Sequence, residues 1–292
     1  MAKRRWTFLI LFCSGIIFCS GFVNLLPIKA AIGNEVRYEA VKKSHSTIHT
    51  VTIPHNSNYS VIPVVSPLKP IEDFVIQKDR IVAAINGGYF DPVNQKTTSF
   101  IVEQSQIVAD PRFNERLVDN PDLKPYIKKI LNRAEFRRYS CGGRIKYDIQ
   151  LHFAPIPSNC TLNGSLGAGP SLLPQNTSEA EAFTAYRDGE KIRDAIGSDS
   201  LNARSAVGIT QAGDVILAMA AQQPQKPLNS GISLPELASF LAELGAVKAM
   251  NLDGGSSTSL YYGDGFVYGK VDKEGKEIQR PIKSVLLVRE EK

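Results

Sequence analysis

The chain has 292 residues, of which 43% are hydrophobic and 22% are charged, as expected for a globular core. Its formal net charge is +5, but Lys3, Arg4, Arg5 and Lys29 lie in a segment, residues 1–30, that contains no acidic residue. The remainder therefore carries a charge of about +1, which gives no reason to expect a nucleic-acid partner.

Residues 1–30 have the composition of an export signal. Basic residues precede an almost uncharged apolar stretch, residues 6–26. This stretch approaches the roughly 20 residues that span a bilayer, and the cleavage sites that follow it are poor matches. We therefore expect an exported protein that is periplasmic, secreted or membrane-anchored facing outside the cytoplasm. Residues 1–30 are then a signal peptide or a retained membrane anchor, and residues 31–292 form one domain.

The first half of this domain contains several predicted strands and one charged insertion. The predicted elements are strands within residues 36–53, an irregular connection over 63–70, a strand at 81–85, a hairpin from 100–102 and 107–109, and a helical insertion over 112–140. Residues 124–138 of that insertion predict a basic helix. Such a helix is typically a solvated face, and the alternative is a rim that attracts an anionic substrate.

The second half contains a hairpin, one well-marked helix and two further strands. Residues 206–210 and 215–219 predict the hairpin. Ser233 and Glu236 have the spacing of a capping box at the start of a helix that leads into a strand at 247–252. The chain closes with a strand over 283–288. The predicted fold class is therefore mixed α/β (α+β), with central mixed sheets, hairpins and few helices in a single domain.

Cys141 and Cys160 are the two cysteines outside the leader. In an exported domain, two cysteines nineteen residues apart predict one disulfide. The alternative, a metal site, would need further ligands. The four histidines show no spacing that supplies them: His45, His49, His55 and His152.

Two predicted strands end in similar polar segments, residues 86–91 and 251–259. Each has an asparagine, a glycine pair and an aspartate, and if both strands belong to one sheet these segments form opposite walls of a cleft. Tyr89 and Phe90 would supply an apolar face for a sugar, and Asp253 could act as acid, base or nucleophile. Backbone and hydroxyl groups could hold sugar or phosphate oxygens at Gly254, Gly255, Ser256 and Ser257. The alternative is a pair of capped turns.

Other chemistries fit the residue inventory less well. The glycine-rich segment 164–173 lacks a dinucleotide fingerprint and the lysine of a phosphate-binding loop. No histidine follows His152, which disfavours a serine hydrolase.

Arg204 is a candidate for bidentate recognition of phosphate, with a surface salt bridge as the alternative. Cleavage of a glycosidic bond usually needs a second carboxyl group about 5 to 9 Å from the first, and the candidates are Asp91, Asp199 and Glu103.

Five segments together resemble one family. They are residues 86–90, 167–173, 203–209, 230–238 and 251–259, and their order is that of the phosphodiester glycosidases. The resemblance covers roughly residues 80–290. It implies hydrolysis of a sugar joined through its anomeric carbon to a phosphodiester, with release of free sugar and a phosphomonoester.

The resemblance also implies a set of site residues. Asp253 and Arg204 would be catalytic, with Asp253 at the reaction centre and Arg204 near the phosphate. The substrate-binding residues would be Asn86, Gly87, Gly88, Tyr89, Gly169, Asn251, Gly254, Gly255, Ser256, Ser257 and Arg280. The family commonly has three glycines after the aspartate, whereas this chain has Gly254-Gly255-Ser256, a difference that bears on the sugar subsite.

Two other functions remain as alternatives at this stage. One is a non-catalytic protein that binds polysaccharide during envelope or exopolysaccharide assembly. The other is a phosphodiesterase that breaks the P–O bond. The expected partner is a glycosyl phosphodiester or an envelope polysaccharide. No cofactor is required by the sequence, and a structural divalent cation in the Asp- and Asn-rich loops stays open.

Overall fold

The computed structural model describes residues 33–76, 78–263 and 265–291. The predicted leader, including the apolar stretch 6–26, lies outside the described residues. Within the described ranges, no helix is long and apolar enough to cross a membrane. The predicted fold class is confirmed, since strands dominate, helices are few and the described residues build one domain.

The strands of the described part are numbered in chain order. They are β1 (Arg37–Lys42), β2 (Thr47–Ile53), β3 (Tyr59–Lys69), β4 (Ile81–Asn86), β5 (Ile101–Glu103), β6 (Gln106–Ala109), β7 (Ala134–Cys141), β8 (Arg144–Leu151), β9 (Cys160–Gly167), β10 (Ser171–Leu173), β11 (Thr184–Arg187), β12 (Glu190–Asp194), β13 (Arg204–Thr210), β14 (Val215–Ala221), β15 (Ala246–Asn251), β16 (Ser259–Tyr262), β17 (Gly265–Tyr268) and β18 (Ile282–Glu290). The α-helices are α1 (Ile71–Ile76), α2 (Glu115–Val118), α3 (Ile127–Ile130) and α4 (Leu234–Glu243). Short 3₁₀ turns occupy Pro111–Phe113, Lys124–Tyr126 and Gly255–Ser257.

Three antiparallel sheets and one small hairpin organise these strands. The first sheet has the order β1-β2-β14-β13-β15-β10, the second β17-β16-β4-β18-β3 and the third β6-β5-β9-β7-β8, with β11 and β12 forming the hairpin. One apolar cluster joins the three sheets, and its members include Val51, Val207, Leu217, Met250, Ala83, Ile85, Leu286, Phe136 and Leu166. Helix α4 packs on the outer side chains of the first sheet, and α1 on those of the second.

The predicted hairpins and the capped helix are confirmed. β5 pairs with β6, and β13 pairs with β14. At the start of α4 the Ser233 hydroxyl accepts from the Glu236 N–H, while the Glu236 carboxylate accepts from the Ser233 N–H. The chain then enters β15, which pairs with β13 in the centre of the first sheet.

The predicted irregular connection over residues 63–70 is wrong, because most of it belongs to the long strand β3. This strand contains Pro63 and Pro67, which cannot donate to a sheet ladder, but it lies at the edge of the second sheet. Two N–H groups of this strand donate instead to side chains of the third sheet. The Val61 N–H donates to the Tyr147 hydroxyl at 2.8 Å, and the Val65 N–H donates to Glu103 Oε1 at 2.6 Å.

The predicted helical insertion over residues 112–140, with its basic helix over 124–138, is also wrong in its second part. Helices are limited to α2, α3 and short 3₁₀ turns, and β7 begins at Ala134. Glu135 and Arg137 of β7 pair with each other inside the protein, so these charges do not mark a solvated face. Arg137 is 2% exposed and donates to Glu135 Oε1 at 2.6 Å.

The predicted disulfide is confirmed. Cys141 and Cys160 are bonded, and they occupy paired positions of β7 and β9 in the third sheet. The bond therefore joins two neighbouring strands of the sheet.

Candidate active site

The ends of β4 and β15 meet, although the two strands belong to different sheets. The side-chain amide of Asn86 donates to the carbonyl oxygen of Asp253 at 2.6 Å. The Asp253 N–H donates in turn to the carbonyl oxygen of Gly87 at 2.9 Å. The two similar polar segments therefore lie together, at the junction of the first and second sheets rather than within one sheet.

Asn86 acts as the centre of this junction. It is completely buried, and its Oδ1 accepts from the Ser205 hydroxyl at 2.6 Å and from the Ser259 N–H at 3.1 Å. These bonds tie β4 to the starts of β13 and β16. The side-chain polar atoms of Asn86 are thus hydrogen-bonded to other residues of the protein, and these bonds fix the backbone that carries Asp253.

Gly87 and Gly88 permit a close approach of neighbouring elements. A Cβ atom on Gly87 would lie 2.4 Å from the Ser284 hydroxyl, and one on Gly88 would lie 2.2 Å from the Gly167 carbonyl oxygen. The Gly88 N–H donates to Ser284 Oγ at 3.0 Å. Both glycines are therefore required by the packing of the β4 end against the second and third sheets.

Tyr89 connects the β4 end to Gly169 and Asn251. Its hydroxyl donates to the Gly169 carbonyl oxygen at 3.0 Å and accepts from Asn251 Nδ2 at 2.6 Å. Burial raises the pKa of Tyr89 far above its ordinary value, so the hydroxyl stays protonated. Gly169 has a φ of 90°, and a Cβ atom there would lie 2.2 Å from the Glu181 carboxylate. The structure thus brings three predicted residues into one hydrogen-bonded chain.

Asp253 lies in a small cavity of about 140 Å³. The cavity is lined by Tyr89, Ile196, Asn202, Arg204, Asp253, Gly254 and Gly255. Burial raises the pKa of the Asp253 carboxyl to about 6, while Ser257, Arg280 and the Gly254 N–H act in the opposite direction. At neutral pH this carboxyl is therefore ionised, and it can gain a proton within the physiological range.

Arg204 forms another wall of the cavity and is only 2% exposed. Its guanidinium donates to four backbone carbonyl oxygens: Nε to Ile232 at 3.3 Å, Nη1 to Ile196 at 3.0 Å, and Nη2 to Gly197 at 2.5 Å and Ser200 at 3.1 Å. These bonds use four of the five N–H groups of the side chain. The guanidinium thereby holds the segment 196–200 beside the cavity, and the arrangement is not a surface salt bridge.

Two further cations, both from loop 269–281, bind residues of the site: Arg280 contacts the turn that follows Asp253, and Lys270 contacts Asn202, which lines the cavity. Arg280 Nη1 donates to the Ser256 hydroxyl at 3.0 Å, and its guanidinium lies 4.8 Å from the centre of the Phe90 ring. Lys270 Nζ donates to Asn202 Oδ1 at 3.0 Å. Arg280 was predicted from sequence, whereas Lys270 and Asn202 were not. Asn202 lies two residues before Arg204, but Lys270 belongs to no recognisable motif.

The structure does not bring the three candidate second acids to the cavity. Asp91 pairs with Arg116, with 2.8 Å between Oδ2 and Nε. Asp199 has a 70% exposed side chain and pairs with Lys191, and Glu103 binds the backbone of β3. Asp253 is thus the carboxylate that lines this cavity.

A divalent cation has no obvious place in the described part of the chain. No group of three or more His, Cys, Asp or Glu side chains that could hold a metal ion occurs there. The polar atoms around Asp253 are instead hydroxyls, amides and cationic groups, a set suited to sugar and phosphate oxygens.

Residues 79–289 match the phosphodiester glycosidase family. Because this match covers most of the chain, the protein belongs to that family, as its sequence motifs imply. No curated protein matches the chain.

Two solved structures illustrate the likeness in fold. The catalytic domain of zebrafish N-acetylglucosamine-1-phosphodiester α-N-acetylglucosaminidase, auto-inhibited by its pro-peptide, has a TM-score of 0.61 at 17% identity, covering 88% of this chain and 82% of that one. A hypothetical protein from Synechocystis has a TM-score of 0.54 at 18% identity, covering 87% of this chain. This chain spans 61% of the length of the Synechocystis protein. At such identities the likeness concerns the fold.

Proposed function

We propose that this protein is an exported hydrolase that cleaves the glycosidic bond of a sugar-1-phosphodiester. Water adds to the anomeric carbon, the bond from that carbon to the phosphate oxygen breaks, and the products are free sugar and a phosphomonoester. The observation that carries the proposal is one carboxylate, Asp253, in a cavity with a buried guanidinium, Arg204, and with two further cations nearby.

A single carboxylate is sufficient for this leaving group. Phosphate departs readily as an anion, so it needs less help from a general acid than a sugar hydroxyl does. Cationic groups aimed at the developing charge can supply much of the stabilisation. Asp253, which is ionised at neutral pH, then stabilises the oxocarbenium-like centre, attacks it or activates water.

The other predicted residues fall into two groups within this proposal. Gly254, Gly255, Ser256 and Ser257 form the turn after Asp253. The backbone of Gly254 and Gly255, which line the cavity, and the Ser256 hydroxyl would hold the substrate, whereas Ser257 is 1% exposed and does not line the cavity. Asn86, Gly87, Gly88, Gly169 and Asn251 support that turn through the bonds described above, and Tyr89, which binds Gly169 and Asn251, also lines the cavity. We infer that the supporting residues act through the position of Asp253.

The size of the cavity bears on the substrate. At about 140 Å³ it is smaller than the roughly 300–1,000 Å³ of ordinary small-molecule pockets. It can therefore enclose the reacting centre and only part of the substrate. We infer that the rest of the glycosyl phosphodiester, including any envelope polysaccharide attached to it, extends over the surface.

Export is supported by two observations. Residues 1–30 have the composition of an export signal, and Cys141 and Cys160 form a disulfide. Disulfides persist in oxidising compartments and are rare in the cytosol. We propose a location outside the cytoplasm, with residues 6–26 as signal peptide or anchor.

One incubation tests the reaction. The protein is mixed with a sugar-1-phosphodiester, and the product that carries the phosphate is identified. Free sugar with phosphate on the aglycone supports the proposal. Sugar phosphate would instead show a phosphodiesterase, and absence of turnover would favour a non-catalytic polysaccharide-binding protein.

A further inference from the structure

Loop 269–281 is held firmly at its start, beside the Asp253 turn. The Gly269 N–H donates to the Thr258 carbonyl oxygen at 2.9 Å, and the Gln222 N–H donates to the Gly269 carbonyl oxygen at 2.8 Å. A Cβ atom on Gly269 would lie 2.3 Å from Thr258 Cγ2. The backbone that carries Lys270 is therefore fixed from both sides, and its side chain is directed by a rigid element.

Lys270 is a half-buried cation without an ion pair among the described residues. Its ammonium has three N–H donors, and one of them binds the neutral amide oxygen of Asn202. Burial and the positive charge of Arg204 both lower the pKa of Lys270. Lys270 thus lies close enough to Arg204 for their positive charges to interact, and it has no ion pair of its own among the described residues, an arrangement that an anion would relieve.

Arg204 is poorly placed to be the sole phosphate ligand. Four of its N–H groups are already bound to backbone carbonyl oxygens, so at most one is left for a substrate. Lys270 and Arg280 keep more of their donors. Asn202, the partner of Lys270, lines the cavity, and Ser256, the partner of Arg280, lies three residues after Asp253.

We propose that Lys270, together with Arg280, binds the phosphate group of the substrate and sets the preference for a phosphorylated leaving group. This inference rests on the proposed function and adds to it a specificity-determining residue outside the family motifs. Arg204 then contributes its charge and the position of segment 196–200, while loop 269–281 supplies the hydrogen bonds to the phosphate oxygens.

The test compares Lys270→Met with Lys273→Met, a change of an exposed lysine on the same loop. The first measurement is a calorimetric titration with inorganic phosphate. We expect Lys270→Met to weaken phosphate binding on the order of 10-fold or more, the factor for loss of a hydrogen bond to a charged group, and Lys273→Met to leave it unchanged. Thermal unfolding of both variants checks that they are folded.

The second measurement separates binding of phosphate from hydrolysis. For a sugar-1-phosphodiester, kcat/KM of Lys270→Met should fall by a similar factor, mainly through KM. For an aryl glycoside of the same sugar, which carries no phosphate, kcat/KM should stay near the wild-type value. Lys270→Arg should retain most of the activity towards the phosphodiester.

The outcomes distinguish this inference from the proposed function. If wild-type protein binds phosphate through Lys270 yet hydrolyses no sugar phosphodiester, the proposed reaction fails and the anion site stands. If the reaction occurs but Lys270→Met binds phosphate as wild type does, the role of Lys270 is overturned. Failure of wild-type protein to bind phosphate, or equal losses on both substrates, would overturn it as well.

Discussion

Asn86 and Asp253 are 167 positions apart in sequence, and the side-chain amide of the first donates to the backbone carbonyl of the second at 2.6 Å. This bond joins the end of β4 in the second sheet to the end of β15 in the first. The bonds from Ser205 and Ser259 to Asn86 Oδ1 hold the amide in place. The backbone of Asp253, the proposed catalytic carboxylate, is thus positioned from inside the core.

Asp253→Asn should remove hydrolysis and preserve the fold. The substitution keeps the shape of the side chain but removes the negative charge of the group proposed to stabilise the oxocarbenium-like centre, attack it or activate water. We expect kcat for a sugar-1-phosphodiester to fall on the order of 10²- to 10⁴-fold. Steady-state assays and circular dichroism measure the two effects. A folded Asp253→Asn protein with wild-type turnover would contradict the assignment.

The rate should depend on the ionisation of the same carboxyl. Because burial raises the pKa of Asp253 to about 6, and the ionised form is the active one, kcat/KM should rise as pH increases through about 6. A profile measured between pH 4 and 8 checks this. A fall in kcat/KM as pH rises through about 6 would mean that Asp253 acts as a general acid.

The contribution of Asp253 to the stability of the fold should fall as pH rises, whereas the rate should increase. A carboxyl whose pKa is higher in the folded state favours folding when protonated, and that contribution is lost as pH rises from about 4 through about 6. Asp253→Asn does not titrate. The difference in Tm between Asp253→Asn and wild type should therefore increase in favour of the variant across that range. A pH-independent difference would show that Asp253 is not perturbed by burial.

Arg204→Met should destabilise the protein. The change keeps much of the volume but leaves four carbonyl oxygens, including those of Ile196 and Gly197, without their guanidinium donor. We expect a loss of about 2–4 kcal/mol in the free energy of unfolding, measured in urea. Arg187→Met, at an exposed position of β11, serves as the matched control and should change it little. An unchanged free energy of unfolding would mean that Arg204 acts on the substrate alone.

Gly88→Ala should damage the site through packing. A Cβ atom at this position would lie 2.2 Å from the Gly167 carbonyl oxygen, and backbone cannot move aside cheaply. We expect a cost of about 1–3 kcal/mol in stability together with reduced activity. Gly265→Ala, where the nearest atom is an ordinary 3.7 Å away, is the control. Equal stability of the two variants would show that the β4 end is more adaptable than its contacts indicate.

Much of the fold and the position of the site follow from local sequence signals. The apolar runs that precede Asn86 and Asn251 mark two buried strands, and the glycines after them mark close approaches. Ser233 and Glu236 mark the start of α4. The spacing of the two cysteines, in a chain whose leader predicts export, is sufficient to predict their bond. Each of these signals lies within a few residues of the feature it predicts.

The failures concern residues whose environment depends on the assembled fold rather than on the local sequence pattern. The prolines of β3 are compatible with a strand because that strand lies at a sheet edge, and an edge is a property of the assembled sheet. The charge of Arg137 is buried because Glu135 and the carbonyls after β8 surround it. Lys270 lies in an ordinary loop sequence, and only the fold places it beside Asn202.

Lys270 and Arg280, the two cations proposed to bind phosphate, belong to one loop, whereas Asp253 follows β15, an interior strand of the first sheet. Loops tolerate exchange of sequence far better than core strands do. If Lys270 and Arg280 recognise the phosphate as proposed, the preference for the leaving group is encoded separately from the carboxylate proposed to act at the anomeric carbon. On that proposal, replacement of residues 270–280 alone should change the preference for the leaving group while the reaction at the anomeric carbon is retained.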